Sequence, residues 1–401
     1  MEDTSMDTLF VSYYRKVEGV STSLHRYLYS KINWDNHVIG IKGARGVGKT
    51  TLILQHIKES FPERDKALYV SLDNLWFSIH SLVELVEYFY THGGTHIFLD
   101  EVHRYPKWQT VLKNICDDYP TLHIVYTGSS MLEIDYNQGD MSRRQVVYTL
   151  NGLSFREFLE FEGALHIDPL SIADLLDNHN RIAAGIAAQT KVLPYFEKYL
   201  VYGYYPFYRE MGDGFQFRLQ ETVNQVLNSD LPAVEDFSFN TISKMRKMLM
   251  MLAERIPHIP KMVELYKALE TTRDQGLKML YILEKAQLVS LVGFQPRNYI
   301  AINKPDKILM NNPNLMYSLT SSADKGSIRE SFFHNQVSQV AEVLLSNTGD
   351  FFVDRKYTFE VGGKSKTYDQ IMGLPNAYLA VDGIEIGHHA RIPLWMFGML
   401  Y

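Results

Sequence analysis

The 401-residue sequence has one cysteine, Cys116, no long apolar run and no large excess of charge of either sign. A lone cysteine cannot form an intramolecular disulfide, which argues against a secreted, disulfide-stabilised scaffold and favours a reducing compartment. No stretch approaches the ~20 consecutive apolar residues that span a bilayer, and the polar, acidic start MEDTSMDTLF is unlike a signal peptide. We therefore expect a cytoplasmic protein with no membrane partner.

The formal net charge of −6 provides no overall attraction for nucleic acid, so a contact with DNA would need a local basic patch. Hydrophobic residues make up 46% of the chain, which is enough to bury a sizeable core without metals or disulfides. A chain of this length predicts two or three domains.

The first 150 residues alternate short β-rich runs with segments long enough for helices. Helical spacing at 7–32 predicts an entry helix before the first strand. The predicted strands are HVIGIKG (37–43), ALYVSLD (67–73), THIFLDE (95–101), LHIVYTG (122–128) and VVYTL (146–150). This alternation predicts a parallel α/β sheet, whose ligands bind beyond the carboxyl ends of the strands.

The remaining chain is predominantly helical until a second β-rich region begins near residue 345. Three helical patterns between 240 and 295, followed by QLVSLVGF, have the order of a winged helix-turn-helix. We predict an ATP-binding domain at 1–150, a helical lid and linker at 151–235, a winged helix-like region at 236–310 and a small α+β domain at 311–401.

The segment GARGVGKT fits the P-loop pattern G-x-x-x-x-G-K-[ST] and lies between a predicted strand and a predicted helix. Its glycines allow backbone N–H groups to approach phosphate oxygens, and the helix start favours negative charge. Lysine supplies charge to the β- and γ-phosphates, and threonine offers a hydroxyl to Mg²⁺. The sequence thus predicts that ATP and Mg²⁺ bind at Gly43, Ala44, Arg45, Gly46, Val47, Gly48, Lys49, Thr50 and Thr51.

Two adjacent acids follow the apolar run HIFL, as in a Walker B strand. Asp100 is predicted to hold Mg²⁺ together with Thr50, and Glu101 to polarise the attacking water. His96 and His103 flank this pair, but no histidine or cysteine spacing indicates a zinc site, so we interpret both as packing or surface residues.

Other polar residues follow or precede the later strands. Thr127, Ser129 and Ser130 end the fourth strand, where AAA+ proteins keep a sensor of the γ-phosphate, although a simple turn or helix cap is the alternative. Arg143 and Arg144 precede the fifth strand, from which such proteins project an arginine finger into a neighbouring subunit. The alternative for this pair is two solvated side chains.

The motifs GARGVGKTT, IFLDEVHRYPKW, IVYTGSS and SRRQVVYTLNGLSFREFLEF resemble those of a large prokaryotic family of AAA+-like ATPases. The resemblance covers most of the chain, including a C-terminal domain of unknown function with EVGGKSK and a tail like IPLWMFGMLY. It implies the nucleotide and Mg²⁺ roles given above and aligns Arg144 with the usual arginine. The family often has glycine at position 143, so the resemblance leaves open which of the two arginines would act.

The same resemblance makes the C-terminal domain similar to nuclease folds of the PD-(D/E)xK type. Asp350, Glu360 and Lys364 would match its signature, except that two glycines separate the glutamate and lysine further than usual. Because DFFV and YTFEV are short alternating runs joined by a tight turn, we expect a hairpin that brings both carboxylates together. The alternative is a degenerate domain used for protein contacts.

We expect an ATPase, acting as a homo-oligomer, whose nucleotide state controls the C-terminal effector domain. One rival is a slow nucleotide-dependent switch or binding module with a DNA or protein partner held by the winged-helix and C-terminal regions. A second rival is an ATP-dependent nuclease.

Overall fold

A computed structural model describes residues 4–128, 144–233, 237–255, 262–296 and 304–401. The chain divides into two units. The first unit comprises Met1–Gly152 together with Asn228–Asp236, and the second comprises Leu153–Leu227 together with Phe237–Tyr401. A short piece of chain from the middle of the sequence is thus part of the first unit.

The first unit is built on a five-stranded parallel sheet with the strand order β2-β3-β4-β1-β5. The strands β1 to β4 are apolar and mostly buried, as expected for a sheet covered on both faces, whereas the edge strand β5 is only partly buried. The elements are α1 (Thr4–Gly19), β1 (Val38–Lys42), α2 (Lys49–Ser60), β2 (Ala67–Ser71), α3 (Leu82–Thr91), β3 (His96–Asp100), α4 (Trp108–Asp118), β4 (His123–Gly128) and β5 (Val146–Thr149). All five predicted strands are present, which confirms the predicted P-loop sheet domain.

Among the described residues of the second unit, helices follow one another without a strand until residue 289. They are α5 (Phe155–Phe161), α6 (Ile172–Ala187), α7 (Val192–Lys198), α8 (Tyr208–Met211), α9 (Phe215–Gln225), α10 (Phe239–Arg255), α11 (Met262–Ala268) and α12 (Arg273–Lys285). Helix α12 is followed by an antiparallel pair, β6 (Val289–Val292) and β7 (Lys307–Met310). Three helices and a two-stranded hairpin appear here in the predicted order, while the winged-helix assignment stays a prediction.

The C-terminal part of the second unit holds a five-stranded mixed sheet with the order β12-β11-β10-β9-β8. Strands β9 and β10 are antiparallel, with Phe359 opposite Phe351, whereas β11 and β12 run parallel to β10. The expected hairpin is therefore present. The elements are α13 (Pro313–Leu319), α14 (Lys325–Val337), β8 (Val343–Leu345), β9 (Phe351–Val353), β10 (Tyr357–Gly362), β11 (Ala377–Val381) and β12 (Arg391–Pro393).

The chain tail anchors the core of the second unit. Residues Leu394–Met399 form a buried 3₁₀ helix, and the backbone carbonyl of Tyr401 accepts hydrogen bonds from Ser154 and Arg156 of α5 and its N-cap. The regions predicted at 151–235, 236–310 and 311–401 lie almost entirely in this one unit. None of the helices in the described residues is both long and apolar enough to cross a bilayer.

Candidate nucleotide site

The P-loop lies at the carboxyl end of β1 and runs directly into α2. Gly46 and Gly48 have φ angles of 84° and 97°, a region that side chains disfavour. Gly43 is required for a different reason, because a Cβ at that position would lie 2.1 Å from the carbonyl oxygen of Leu150. The three glycines thus allow a tight turn packed against the chain that follows β5.

Lys49 is almost fully buried and folds back onto the loop that precedes it. Its Nζ donates hydrogen bonds of 2.9 Å to the carbonyl oxygens of Gly43 and Ala44. Burial lowers the pKa of this ammonium, while Glu101 and Asp100 act in the opposite direction. The lysine is held beneath the loop, where a bound phosphate would supply a stronger partner than the two carbonyls.

Asp100 ends β3 and receives three hydroxyl groups. Thr50 donates to Oδ2 at 2.7 Å and Tyr69 donates to the same oxygen at 2.8 Å, while Thr127 donates to Oδ1. The predicted Mg²⁺ pair, Thr50 and Asp100, therefore lies side by side. Burial and the neighbouring Asp100 carboxylate raise the pKa of Tyr69 far above its usual range, so this hydroxyl remains a donor.

Glu101 follows directly and adopts a left-handed conformation with φ 54°. Its backbone N–H donates to Asp100 Oδ1 at 3.1 Å, and its carboxylate lies 3.5 Å from Nε2 of His103. The two carboxylates therefore have different neighbours: Asp100 contacts Thr50, and Glu101 contacts His103.

Asp230 is part of this site although it lies 129 positions after Glu101 in the sequence. Its side chain is 1% exposed and accepts from Arg104 at 2.7 Å and from Arg45 of the P-loop at 3.2 Å. His103 Nε2 lies 3.8 Å from the same carboxylate. Burial raises the pKa of Asp230, but the hydrogen bond from His103 and the charges of Arg45 and Arg104 outweigh it and leave the pKa below its usual range.

Arg26 also binds the backbone of the P-loop. Its buried guanidinium donates to the carbonyl of Val47 and, at 2.7 and 2.9 Å, to the carbonyls of Asn151 and Gly152. Sequence reasoning missed Arg26, Tyr69 and Asp230 because none of them belongs to a local motif. His103 was interpreted as a packing or surface residue, and it is buried next to Glu101.

The other predicted residues of the nucleotide site are distributed as follows. Thr127 is buried, donates a hydrogen bond to Asp100 and accepts one from the backbone N–H of Glu101. Arg144 pairs with Asp117 of α4 at 2.9 Å and remains partly exposed. Ser129, Ser130 and Arg143 lie outside the described residues.

The C-terminal acids predicted from the nuclease resemblance lie close together within the second unit. Asp350 Oδ2 accepts from the N–H of Val361, the neighbour of Glu360 on β10. Glu330 of α14, which sequence reasoning missed, joins them through Lys307, whose Nζ lies 2.7 Å from Glu330 and 3.9 Å from Asp350. Burial and the Asp350 carboxylate raise the pKa of Glu330 to about 7, with Lys307 opposing them.

The lysine beside Glu360 is Lys366, which forms an ion pair with Oε1, and it is not the predicted Lys364. Lys364 instead packs over Gly383, where an added Cβ would lie 2.9 Å from the lysine Cε. After β10 the chain turns, with the N–H of Lys366 bonded to the carbonyl of Gly363, and this turn brings residue 366 back to the strand. Within the described ranges, no group of three or more His, Cys, Asp or Glu side chains is arranged to hold a metal ion.

The comparison with known proteins supports the P-loop fold of the first unit. A model of a protein family described as an AAA domain matches residues 35–159. An uncharacterized protein of Methanocaldococcus jannaschii is 27% identical over 271 residues, which cover 64% of this chain and 57% of that protein. The chain thus spans little more than half of the curated relative.

Several solved structures show a weak likeness to this chain. DnaA from Aquifex aeolicus with bound AMPPCP is 14% identical, with a TM-score of 0.27, covering 69% of this chain and 85% of that one. The Hsp104–ADP complex of S. cerevisiae is 14% identical with a TM-score of 0.28, covering 70% and 39%.

The matched family model, the five-stranded parallel sheet and the P-loop together indicate an AAA-type P-loop α/β domain in the first unit. The residues predicted to bind the nucleotide at Gly43–Thr50, Asp100 and Thr127 lie at the carboxyl ends of its strands.

Proposed function

We propose that the protein binds ATP with Mg²⁺ at this edge and hydrolyses it. The observation that carries the proposal is the 2.7 Å hydrogen bond between the Thr50 hydroxyl and Asp100, which joins the P-loop to the end of β3. Two oxygen groups of the type that Mg²⁺ prefers are therefore already adjacent. When bound, Mg²⁺ would neutralise charge on the phosphates.

Lys49 and Glu101 have separate roles in this proposal. Lys49 exchanges its two carbonyl partners for phosphate oxygens and supplies the positive charge for binding. Glu101, 19% exposed, accepts a proton from the attacking water. Binding and turnover should therefore respond differently to substitution of the two residues.

Lys49→Ala is expected to abolish ATP binding, whereas Glu101→Gln should keep binding and lose most turnover, on the order of a hundredfold. Equilibrium binding of a fluorescent ATP analogue and steady-state phosphate release would be measured on both. Glu87→Gln, on an exposed face of α3, is the matched control and should behave as wild type. Undiminished turnover in Glu101→Gln would show that Glu101 is not the base.

We also propose that the active form is a homo-oligomer in which Arg144 or Arg143 reaches a neighbouring subunit's site. The support is the placement of Arg144, which is partly exposed and forms a surface ion pair with Asp117 that costs little to break. Chains carrying Arg143→Ala and Arg144→Ala, mixed with Lys49→Ala chains, should regain some activity. Hydrolysis that does not depend on protein concentration, with no rescue on mixing, would exclude this arrangement.

The coupling of nucleotide state to the second unit, with a DNA or protein partner, is also a proposal. Lys244 and Lys247 of α10 are basic residues that could contact phosphate, but they donate hydrogen bonds to the backbone carbonyls of Glu270 and Ala268 near the end of α11. This favours a protein partner over DNA. ATPase rates with DNA, RNA or lysate fractions added would test it, and stimulation by DNA alone would reverse the preference.

A second candidate function is phosphodiester hydrolysis in the second unit. It is favoured by the proximity of Asp350 to both Glu330 and Glu360. It is opposed by Lys307 and Lys366, which pair with these glutamates, and by the finding that the described residues include no group of three such side chains arranged to hold a metal ion. Mg²⁺- or Mn²⁺-dependent cleavage of a plasmid is the direct test. Calorimetric titration of either metal into wild type and Asp350→Asn/Glu360→Gln should give equal heats if the cluster is purely structural.

A further inference from the structure

The residues 228–233, here called the returning segment, belong to the first unit although the chain on both sides of 228–236 belongs to the second. Asp230 ends a π-helical turn, Val226–Asp230, and Leu231 beside it is buried. The segment is thus held by the nucleotide-binding unit while its two ends continue covalently into the other unit. If the segment moves, its hydrogen bonds to the nucleotide-binding unit are the first contacts to change.

Those contacts fall on two sides of the nucleotide site. Arg104 binds the segment twice, through the carbonyl of Ser229 at 3.4 Å and the carboxylate of Asp230 at 2.7 Å. Arg45, from the middle of the P-loop, reaches both oxygens of Asp230 at 3.2 Å. Asp230 therefore ties the loop that would cradle the phosphates to the chain that follows Glu101.

A third contact leads to the proposed base itself. The fully buried Nε2 of His103 lies between two carboxylates, 3.5 Å from Glu101 and 3.8 Å from Asp230. A single imidazole placed in this way holds Glu101 in an orientation that depends on Asp230, because both acids share the same nitrogen.

We propose that Asp230 is a positioning residue for ATP hydrolysis: it acts through His103 on Glu101 and through Arg45 on the P-loop, so that docking of the returning segment sets the hydrolysis rate. The proposal rests on the hydrolytic function proposed above. It assigns to the second unit a means of control over turnover, since its chain carries Asp230 into the site. The charge of Asp230 also disfavours a bound triphosphate, and it neutralises two arginines that could otherwise attract one.

These two effects predict an unusual combination in Asp230→Asn. The neutral amide loses its hold on His103, so kcat should fall at least tenfold. Arg45 and Arg104 are released from a negative partner, so affinity for a non-hydrolysable fluorescent ATP analogue with Mg²⁺ should be unchanged or tighter. A purely structural role would weaken binding and turnover together, so the opposite movement of the two is the informative readout.

The experiment compares full-length wild type, Asp230→Asn and the control Asp213→Asn, whose carboxylate is exposed. His103→Gln removes the link to Glu101 while leaving the two arginines on Asp230, and serves if Asp230→Asn fails to fold. It should lower kcat to a similar degree, and the double variant should be no slower than the slower single variant. The inference, but not the proposed hydrolysis, would be overturned by a wild-type kcat in Asp230→Asn or in His103→Gln. Equal losses of affinity and turnover would have the same consequence. A wild-type protein with no turnover would overturn the proposed hydrolysis, and this inference with it.

Discussion

Gly43→Ala tests whether the P-loop depends on its contact with the chain after β5. An added Cβ would meet the carbonyl oxygen of Leu150 at 2.1 Å and the Cγ2 of Val47 at 3.3 Å. A carbon and a carbonyl oxygen approach to about 3.3 Å at their closest, so one backbone segment must move by about 1 Å. The obstacle is backbone, which cannot rotate away as a flexible side chain can.

One of these two backbone segments is the P-loop, which would bind phosphate. Overpacking of this kind costs about 1–3 kcal/mol of stability, and a misplacement of about 1 Å at a reacting centre can cost on the order of a hundredfold in rate. We expect Gly43→Ala to bind the fluorescent ATP analogue at least tenfold more weakly and to unfold more readily in urea. Both are measured on the purified full-length chain.

Gly185→Ala provides the matched control. Gly185 lies in the exposed interior of α6, and no described atom comes within 4 Å of an added Cβ. Alanine is the better helix former there by roughly 0.5–1 kcal/mol, so this variant should be slightly stabilised with unchanged affinity. If Gly43→Ala binds nucleotide as tightly as Gly185→Ala, the close contact with Leu150 has no bearing on the site.

Two further predictions concern the first unit. Burial lowers the pKa of His56 to about 4, whereas the histidine of the unfolded chain binds a proton near pH 6.5. The contribution of neutral His56 to the free energy of unfolding should therefore be complete above pH 6.5 and fall by about 3 kcal/mol as the pH drops towards 4. Urea unfolding at pH 7.5 and 5 checks this, and the loss should be smaller in His56→Gln. Arg26→Ala removes three hydrogen bonds from a buried cation to the carbonyls of Val47, Asn151 and Gly152 and should cost about 3 kcal/mol and weaken ATP binding; equal binding by Arg26→Ala and wild type would show that the brace is not needed.

The sheet and the nucleotide site could be predicted because their signals are local. Each strand is a short apolar run, and Gly43–Thr50 and Asp100–Glu101 are contiguous residues at the carboxyl ends of two of them. In a parallel sheet this placement puts Thr50 and Asp100 at the same edge, and their side chains form a hydrogen bond 2.7 Å long although β4 lies between their two strands.

The entry helix shows where periodicity misleads. Helical spacing continued to residue 32, but α1 ends at Gly19 and the chain then turns. The apolar and aromatic residues after Gly19 pack in turns, and Arg26 leaves the surface to bind the Val47 carbonyl. Tertiary hydrogen bonds of a buried cation outweigh a helical propensity of a few tenths of a kcal/mol per residue.

The lysine of the C-terminal cluster was misplaced for a geometric reason. A Glu-x-Lys spacing assumes that the strand continues, so that both side chains share a face. Here β10 ends at Gly362, and the following turn returns residue 366 to Glu360. Spacing along the sequence therefore stops predicting side-chain position at the residue where the strand ends.

Asp230 could not have been found by any local pattern, and the reason bears on how the protein would be controlled. Burial of a carboxylate costs several kcal/mol unless the carboxylate is paired. The Asp230 carboxylate therefore requires its partners Arg45, His103 and Arg104. Two of these three partners, His103 and Arg104, lie within four residues of Asp100, and the third lies in the P-loop. The candidate nucleotide site therefore includes a segment whose neighbours in the chain belong to the second unit. If Asp230 acts as proposed, the second unit can alter turnover without any change in the residues proposed to bind ATP.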